Sequence, residues 1–551
     1  MDAGEKEKEA AAETRRKIKI AARRGPLVSQ SPPASQCFAS QQPNGIPNLS
    51  HEQLIPQGPI FPSRPATGQS STTTSIVKAT PSIESRLDHD TEASPDATTV
   101  SERGLIEPFN HNDYTLPNVL KDREAPLLMF YLDCVFPMQF KMHSPSIADG
   151  GRGWMLSLFL RTPPLYHMTL AMSAHCLDLL SLPTSGEGYK SFSLNELGLA
   201  LQHMQRYIQN FNGQNEPGNL EESIKVCSCI LQMIAFSCFK GGTDHWKVHL
   251  HAASNIVPVL IDGLLTAPSS SESPYATTEP TVHHTLAYQT DHAAMKFLIC
   301  VFLWCDICGS ISTGSTPYLE QYFDRLLGGS DPRIPMQEVM GVEGWIMALI
   351  GKIASLDQWK RQSQTHGRLS MIELVTRATS IERDLKQGIQ RMKGTSSERQ
   401  QLLRNLLDYG GRVPLSNSCI HAPYVTQVYA SAAVTYLHVV VSGPQPESSE
   451  IHGSVLNTVE LFKAIPDPSL ARSFFWPLLI TGSMALKEEE DTFRRIITTS
   501  GVSSTSTGVG WNVLRVLEQC WKLRGTHQSG VGENGYWSTI MASLDLELLV
   551  L

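Results

Sequence analysis

Two cysteine pairs have spacings that could ligate a metal. Cys305 and Cys308 form a CxxC, and Cys227 and Cys229 are two residues apart. A structural zinc site needs four thiolate or imidazole ligands, and no second CxxC supplies the missing pair. Both pairs lie in apolar runs with helical spacing. The sequence therefore predicts reduced thiols packed in a helical core.

Three histidines, His245, His249 and His251, cluster in the sequence DHWKVHLHAA. The first two are four residues apart, so they would share one face of a helix at metal-ligand spacing. A zincin motif would place glutamate directly after its first histidine, where this chain has Trp246, and no third ligand can be named. We predict an amphipathic surface helix and no metal.

A glycine-rich turn, Gly150–Gly153, precedes a predicted helix and could hold a phosphate at its N-terminus. No strand comes before it and no GK[ST] or GxGxxG follows, so we predict a turn that lets Trp154 start its helix. No GxSxG elbow or Ser/His/Asp set can be assembled. We therefore expect no catalytic residues, no cofactor and no enzymatic activity.

Six cations near the N-terminus form the strongest local charge feature. They could contact phosphates or a nuclear importer, and a solubilising arm explains the same charges equally well. The six are Arg15, Arg16, Lys17, Lys19, Arg23 and Arg24.

Composition divides the chain into three segments. Residues 1–24 are a charged arm, residues 25–115 a Pro/Ser/Thr/Gln-rich linker that we predict to be disordered, and residues 120–551 a helical domain. The N-terminus has no apolar signal core. The longest apolar run, Phe297–Cys305, is too short to span a bilayer, so we expect an intracellular protein without a membrane partner.

The helical domain shows apolar residues at three- and four-residue spacing and no alternating strands, which predicts an all-α fold. Its length of roughly 430 residues exceeds the usual size of one core, so two packed subdomains are expected. The predicted helices span 126–140, 152–161, 165–182, 193–211, 220–239, 245–264, 291–311, 342–360, 371–392, 397–408, 421–441, 469–487, 508–523 and 535–548.

Five stretches resemble, in order, the regulatory domain of fungal-specific transcription factors: LLMFYLDCVFPMQF, GGRGWMLSLFLRTPPLYHMTLAMSA, WKVHLHAASNIVPVL, FLWCDICGSISTG and FFWPLLITGSMA. The RTPPL corner also makes physical sense, because proline ends one helix and suits the first turn of the next. The motif residues carried over are Trp154, Arg161, Pro163, Pro164, Asp306, Trp476 and Pro477.

The resemblance implies a nuclear transcription regulator that acts through its helical domain on a metabolic or secondary-metabolite gene set. Its expected partners are the transcription machinery, other regulators and promoter DNA, and a homodimer is left open. The family's DNA-reading module is a six-cysteine zinc cluster. Only Cys37 precedes Cys134 here, so we expect no zinc, and direct DNA contact stays an open question.

Two alternatives remain at this stage. The six cysteines could be encoded upstream of Met1, which would restore the zinc cluster. In a different class, the chain could be a helical small-molecule-binding or interaction protein with no role in DNA binding, because a large helical domain rich in Trp and Met could enclose an apolar pocket.

Overall fold

The structure is a computed structural model. It describes residues 122–143, 151–180, 187–213, 220–243, 245–266, 282–328, 333–408, 417–500, 508–525 and 537–550. The predicted arm and linker, residues 1–24 and 25–115, lie outside these ranges. Residues 104–551 belong to one compact unit.

The described part of the chain is helical throughout and contains no strand, which confirms the all-α class. The first helices are α1 Glu124–Phe130, α2 Phe136–Gln139, α3 Gly153–Arg161, α4 Pro163–Leu180, α5 Glu187–Gly213, α6 Leu220–Phe239, α7 Trp246–Thr266, α8 Val282–Thr313 and α9 Phe323–Leu326. The remaining helices are α10 Met336–Met340, α11 Gly344–Thr365, α12 Met371–Asp408, α13 Asn417–Ser442, α14 Ser449–Lys463, α15 Phe475–Gly482, α16 Lys487–Thr499, α17 Val509–Gly525 and α18 Trp537–Ser543.

Three segments interrupt or extend these helices. A π-helical turn, Tyr131–Val135, joins α1 to α2, and 3-10 turns at Glu320–Tyr322 and Pro468–Phe474 lead into α9 and α15. After α18 the chain continues as a short C-terminal strap, Asp545–Val550, in which Leu548 and its two following residues are fully buried.

Helix α8 is the centre of the fold. It packs against α3, α6, α7, α10, α11 and α18. Its residues are buried without a break from Phe297 to Cys308, as expected for a helix that is apolar on all sides. The buried apolar side chains form one cluster that runs from Leu127 to Val550. The two packed subdomains that the length predicts would therefore share one continuous apolar core.

Four described helical segments are long and apolar enough to cross a membrane by length and composition: Leu220–Phe239, Trp246–Thr266, Thr290–Thr313 and Ile420–Ser442. A search for uninterrupted apolar runs misses these segments, because polar residues are scattered within them. The mean hydropathy of an 18-residue window tolerates such interruptions. In the most apolar segment, Thr290–Thr313, 94% of the window is buried inside the protein. Burial in the core gives this segment its own physical reason for being apolar.

Candidate regulatory site

The motif corner between α3 and α4 fastens both helices to the centre of the fold. Pro163 starts α4 directly after Arg161 ends α3. The Arg161 guanidinium binds the Asp291 carboxylate of α8 and lies 3.6 Å from the Glu221 carboxylate of α6. The Trp154 ring packs 5.2 Å from the ring of Phe297 on α8. These motif residues therefore position helices.

Asp306 is a buried carboxylate near the C-terminal end of α8, with 2% of its surface exposed. It accepts hydrogen bonds from the backbone N–H groups of Tyr318 (3.0 Å) and Leu319 (2.8 Å). Burial raises its pKa to about 6, although the two N–H groups oppose this change. The side chain holds the turn that follows α8 against the body of that helix.

Trp476 and Pro477 stand in the first turn of α15, where a proline is tolerated because the first N–H groups have no partner within the helix. The Trp476 ring stacks on Tyr429 of α13 at 5.5 Å. The Tyr429 hydroxyl donates to the Ser473 carbonyl at 3.0 Å. This contact joins α13 to α15 in the C-terminal half of the core.

The CxxC lies in the buried stretch of α8, and Cys305 and Cys308 are both almost fully inaccessible. Burial raises the pKa of each thiol far above its ordinary value. Cys227 and Cys229 are buried in α6 and show the same direction of change. A protonated thiol in an apolar core neither binds metal nor attacks a substrate.

The histidine cluster differs from the prediction at its first member. Helix α7 begins at Trp246, and His245 precedes it with a φ of 48°. Burial and the nearby His245 lower the pKa of His249, and the His251 ring packs 5.4 Å from the ring of Tyr318. Within the described ranges, no three His, Cys, Asp or Glu side chains come close enough to hold a metal ion.

The glycine-rich turn is the start of α3, as predicted, with Gly151 in the left-handed region at a φ of 60°. The Arg152 guanidinium donates to the Leu132 carbonyl and forms an ion pair with Asp133 at 3.0 Å. The one cation of the turn is thus engaged by the protein. The six basic residues between Arg15 and Arg24 lie outside the described residues.

A cavity of about 490 Å³ lies where α7, α8, α11, α18 and the C-terminal strap meet. Its hydroxyl side chains include Ser538, whose oxygen is buried without a hydrogen-bond partner in the described part of the chain. Two cations reach it, but Arg361 is paired with Asp357 at 2.6 Å and Lys247 with Glu547 at 2.8 Å. Paired charges and hydroxyls suit a neutral molecule that carries oxygen atoms better than an anion.

Sequence reasoning could not have found this cavity. Its lining residues come from five separate elements, and none belongs to a recognisable motif. The residues lining it are Trp246, Lys247, Ser312, Thr313, Arg361, Ser538, Thr539, Met541, Ala542, Asp545, Leu546, Glu547 and Leu548.

The helical core and the motif residues that join its elements define a regulatory domain of the fungal type. A family model described as the fungal-specific transcription factor domain matches residues 126–551. The chain therefore belongs to this family, which confirms the resemblance seen in its five motif stretches.

Named regulators share most of this region. The trichothecene biosynthesis transcription regulator TRI10 of Trichoderma arundinaceum is 32% identical over 424 residues, covering 74% of this chain and 94% of that protein. TRI10 of Fusarium sporotrichioides is 31% identical over 422 residues, with the same two shares. The ustiloxin B cluster transcription factor ustR of Aspergillus flavus is 27% identical over 448 residues, 78% of this chain and 73% of that protein. No solved structure matches the chain.

Proposed function

We propose that this chain regulates transcription of a fungal biosynthetic gene set, and that it works in the nucleus with promoter DNA and the transcription machinery. The observation that carries the proposal is the family match over residues 126–551, which reaches from α1 to the C-terminal strap. Relatives that align with 74% and 78% of this chain are named as a transcription regulator of trichothecene biosynthesis and as the ustiloxin B cluster transcription factor. Nearly the whole described helical unit therefore lies within the family's domain.

The chemistry of the described residues supports a regulatory role over a catalytic one. The motif residues Arg161, Asp306 and Trp476 are engaged in contacts that position helices. The candidate nucleophiles in the CxxC are buried with raised pKa values. We propose that the chain is not an enzyme and needs no cofactor of its own.

The route to the promoter is the second part of the proposal. In this sequence Cys37 is the one cysteine before Cys134. DNA contact that depends on these residues would therefore use the cations between Arg15 and Arg24, a DNA-binding partner, or both. Phosphate contacts by six cations would add affinity without reading sequence. Selectivity for particular promoters would then come from the partner.

Chromatin occupancy of the tagged full-length protein tests both parts. The test variant replaces the six cations between Arg15 and Arg24 with Gln, and the matched control replaces Glu5, Glu7, Glu9 and Glu13 with Gln in the same arm. A foreign nuclear import signal on every version separates import from DNA contact. We expect enrichment at promoters of one biosynthetic gene set, with the Glu variants unchanged.

The outcomes separate the routes. Loss of enrichment in the cation variant despite nuclear entry places the DNA contact in the arm, and retained enrichment assigns it to a partner. Absence of enrichment at any promoter, with the protein present in the nucleus, contradicts the proposed function.

A further inference from the structure

The cavity between α7, α8, α11, α18 and the C-terminal strap has the size and the walls of a small-molecule site. Its volume of about 490 Å³ lies within the range of roughly 300–1,000 Å³ that is usual for such sites. Part of its wall is apolar, because the buried side chains of Met541 and Leu548 line it together with Trp246. The Trp246 Nε1–H already donates to the Glu547 carbonyl at 2.6 Å, so this indole offers a ligand only its apolar surface.

Both cations at the cavity are held by carboxylates of the protein. Arg361 donates to the Asp357 carboxylate through Nε at 3.2 Å and through Nη2 at 2.6 Å. A Cβ at Gly314 would stand 2.6 Å from the third nitrogen, Nη1, so the turn after α8 packs closely over this group. Lys247 lies 2.8 Å from the Glu547 carboxylate. An anionic ligand would therefore have to compete with a carboxylate for each cation.

Three polar side chains at the cavity keep unused hydrogen-bonding capacity. Within the described part of the chain, the side chains of Ser312, Ser538 and Asp545 have no hydrogen bond or ion pair. The Ser538 hydroxyl is also buried, and a buried polar atom without a partner is destabilising. Because it has no bond to lose, this hydroxyl can rotate about the Cα–Cβ bond towards a ligand. It therefore gains a partner when the cavity is occupied.

Asp545 lines the cavity from the strap in an unusual conformation. Its φ of 54° lies in the left-handed region, at a helix end where glycine is the usual residue. The turn itself requires no side chain here, so the carboxylate is available to the cavity. Water screens its attraction for a cation, because the side chain is exposed. It can still accept hydrogen bonds from the hydroxyl groups of a neutral ligand.

We propose that this cavity binds a neutral small molecule that carries several hydroxyl groups beside an apolar face, and that the bound molecule fastens the C-terminal strap. The apolar face packs on Trp246 and Met541. The hydroxyl groups bind the side chains of Ser312, Ser538 and Asp545. The site is inferred from the cavity alone, whereas its use in controlling transcription rests on the proposed function.

The strap couples occupancy of the cavity to the rest of the domain. It is held by the Leu549 N–H, which donates to the Gly242 carbonyl at 2.8 Å, and by the indole of Trp246. A ligand that contacts both Ser312 of α8 and Asp545 of the strap adds contacts that exist only while the strap is in place. Binding therefore favours the fastened strap, because a ligand stabilises the state that it binds.

Hydrogen exchange of the full-length protein, monitored by mass spectrometry, tests the site with two matched probes. Phenyl β-D-glucoside is neutral and carries hydroxyl groups beside an aromatic ring, and phenyl β-D-glucuronide has a carboxylate in place of one hydroxymethyl group. We expect a dissociation constant on the order of millimolar for the glucoside and about tenfold weaker binding for the glucuronide. At saturating glucoside, exchange in residues 545–550 should slow several-fold. No slowing with the glucoside, or equal slowing with both probes, overturns the proposal.

Filling the cavity shows whether the probe acts from within it. Ala542 is exposed and lines the cavity, whereas Ser543, next to it on α18, is exposed and does not. Ala542→Trp should abolish the slowing by the glucoside, relative to the same variant without probe. The matched control Ser543→Trp should keep the slowing. Slowing that survives Ala542→Trp places the probe elsewhere and overturns the proposal.

Ser538→Ala tests the buried hydroxyl by two opposite effects. The thermal unfolding midpoint should stay the same or rise, because the folded state no longer buries a polar group without a partner. The same change removes one hydrogen bond to the glucoside, so its dissociation constant should rise about fivefold. A lower midpoint with unchanged affinity would mean that this serine is structural, and it overturns the assigned contact.

Probe binding and promoter occupancy are measured separately, so the site and the regulatory role are tested independently. Promoter enrichment of the parent without any binding of the glucoside contradicts the site alone. Binding of the glucoside without enrichment at any promoter contradicts the regulatory role alone.

Discussion

At the scale of single residues, the cysteine pairs that could have bound a metal and the motif residues are all structural. Asp306 holds the turn after α8, the CxxC is buried in α8, and Arg161 joins α3 to α8. Residue types at suggestive spacing therefore overstate the chemistry, because spacing along the chain does not reveal burial. Burial decides whether a thiol ionises and whether a carboxylate is free to act.

The pH dependence of stability tests the buried carboxylate. Because burial raises the pKa of Asp306 from 3.8 to about 6, the folded protein binds this proton more tightly than the unfolded chain. Stability from this group is highest below pH 3.8 and falls as pH rises to about 6. Asp306→Asn stays neutral, so its free energy of unfolding should gain about 2–3 kcal/mol relative to the parent across that range.

Urea unfolding of both proteins at several pH values between about 4 and 7 measures this difference. If the free energies of unfolding of the two proteins differed by the same amount at every pH, the buried carboxylate would not change its protonation state on folding.

Thiol reactivity tests the placement of the CxxC. Cys134 is exposed, whereas Cys305 and Cys308 are buried with pKa values far above ordinary. In the native protein, Cys134→Ser should therefore remove one fast-reacting thiol, whereas Cys308→Ser should leave the number of fast-reacting thiols unchanged. Titration with a thiol-specific chromogenic reagent, before and after denaturation, counts both classes. A lower fast count in Cys308→Ser would contradict the buried position.

At the scale of elements, the helical pattern predicted Leu220–Phe239 to the residue and most other helices to within a few positions. Four helices were missed: the short Phe323–Leu326 and Met336–Met340, and the longer Ser449–Lys463 and Lys487–Thr499. The last of these is strongly charged, and its few inward-facing apolar residues, with Phe493 at their centre, give a weak periodic signal. Its acidic first turn is favourable at a helix N-terminus.

Other boundaries moved for identifiable reasons. The predicted pair 371–392 and 397–408 is one helix, Met371–Asp408, and the predicted 469–487 divides into a 3-10 turn and α15. The predicted 535–548 ends at Ser543, because Asp545 takes a left-handed φ of 54° and the Leu546 N–H bonds back to the Met541 carbonyl. This is the hydrogen bond of a Schellman helix end, usually formed at glycine.

The crossing of α7 and α8 depends on a glycine. A Cβ at Gly309 would stand 2.8 Å from the buried Trp246 ring, so Gly309→Ala should destabilise the protein by about 1–3 kcal/mol. The matched control is Gly453→Ala on α14, where no atom lies within 4 Å of the new methyl group. The control should gain about 0.5–1 kcal/mol, because alanine suits a helix interior better than glycine. Chemical denaturation measures both changes, and equal effects at the two sites would contradict the close crossing.

The C-terminal strap is the second element whose removal should matter. The Leu549 N–H donates to the Gly242 carbonyl at 2.8 Å, and Trp246 Nε1 donates to the Glu547 carbonyl at 2.6 Å. Deleting residues 548–551 removes three fully buried apolar side chains and should cost at least about 4 kcal/mol, measured by thermal or chemical unfolding.

Glu547→Gln is the control for this deletion. It keeps the backbone carbonyl that Trp246 uses and loses only the partly exposed ion pair with Lys247, so it should cost under about 1 kcal/mol. If the deletion lowered the free energy of unfolding no more than Glu547→Gln does, the strap would not be what closes the core.

At the scale of the whole molecule, one apolar cluster connects the N-terminal and C-terminal helices through α8. We expect the most protected amides of α6 and α15 to open together, at one urea concentration, in hydrogen exchange monitored by mass spectrometry. Two separate midpoints would instead establish two subdomains, as the length of the domain suggests.

The amino-acid pattern alone specified the helical class, the positions of most helices, the proline corner and the family, because helical periodicity and local motifs are encoded within a few turns of chain. Only the tertiary structure decided what those motifs do. It buried Asp306 and the CxxC, and it brought Trp246 to Glu547 across three hundred residues. It also left Leu194, Leu201 and Ile208 facing solvent. Which face of a helix is covered depends on its neighbours in space, and the sequence of a single helix does not identify those neighbours.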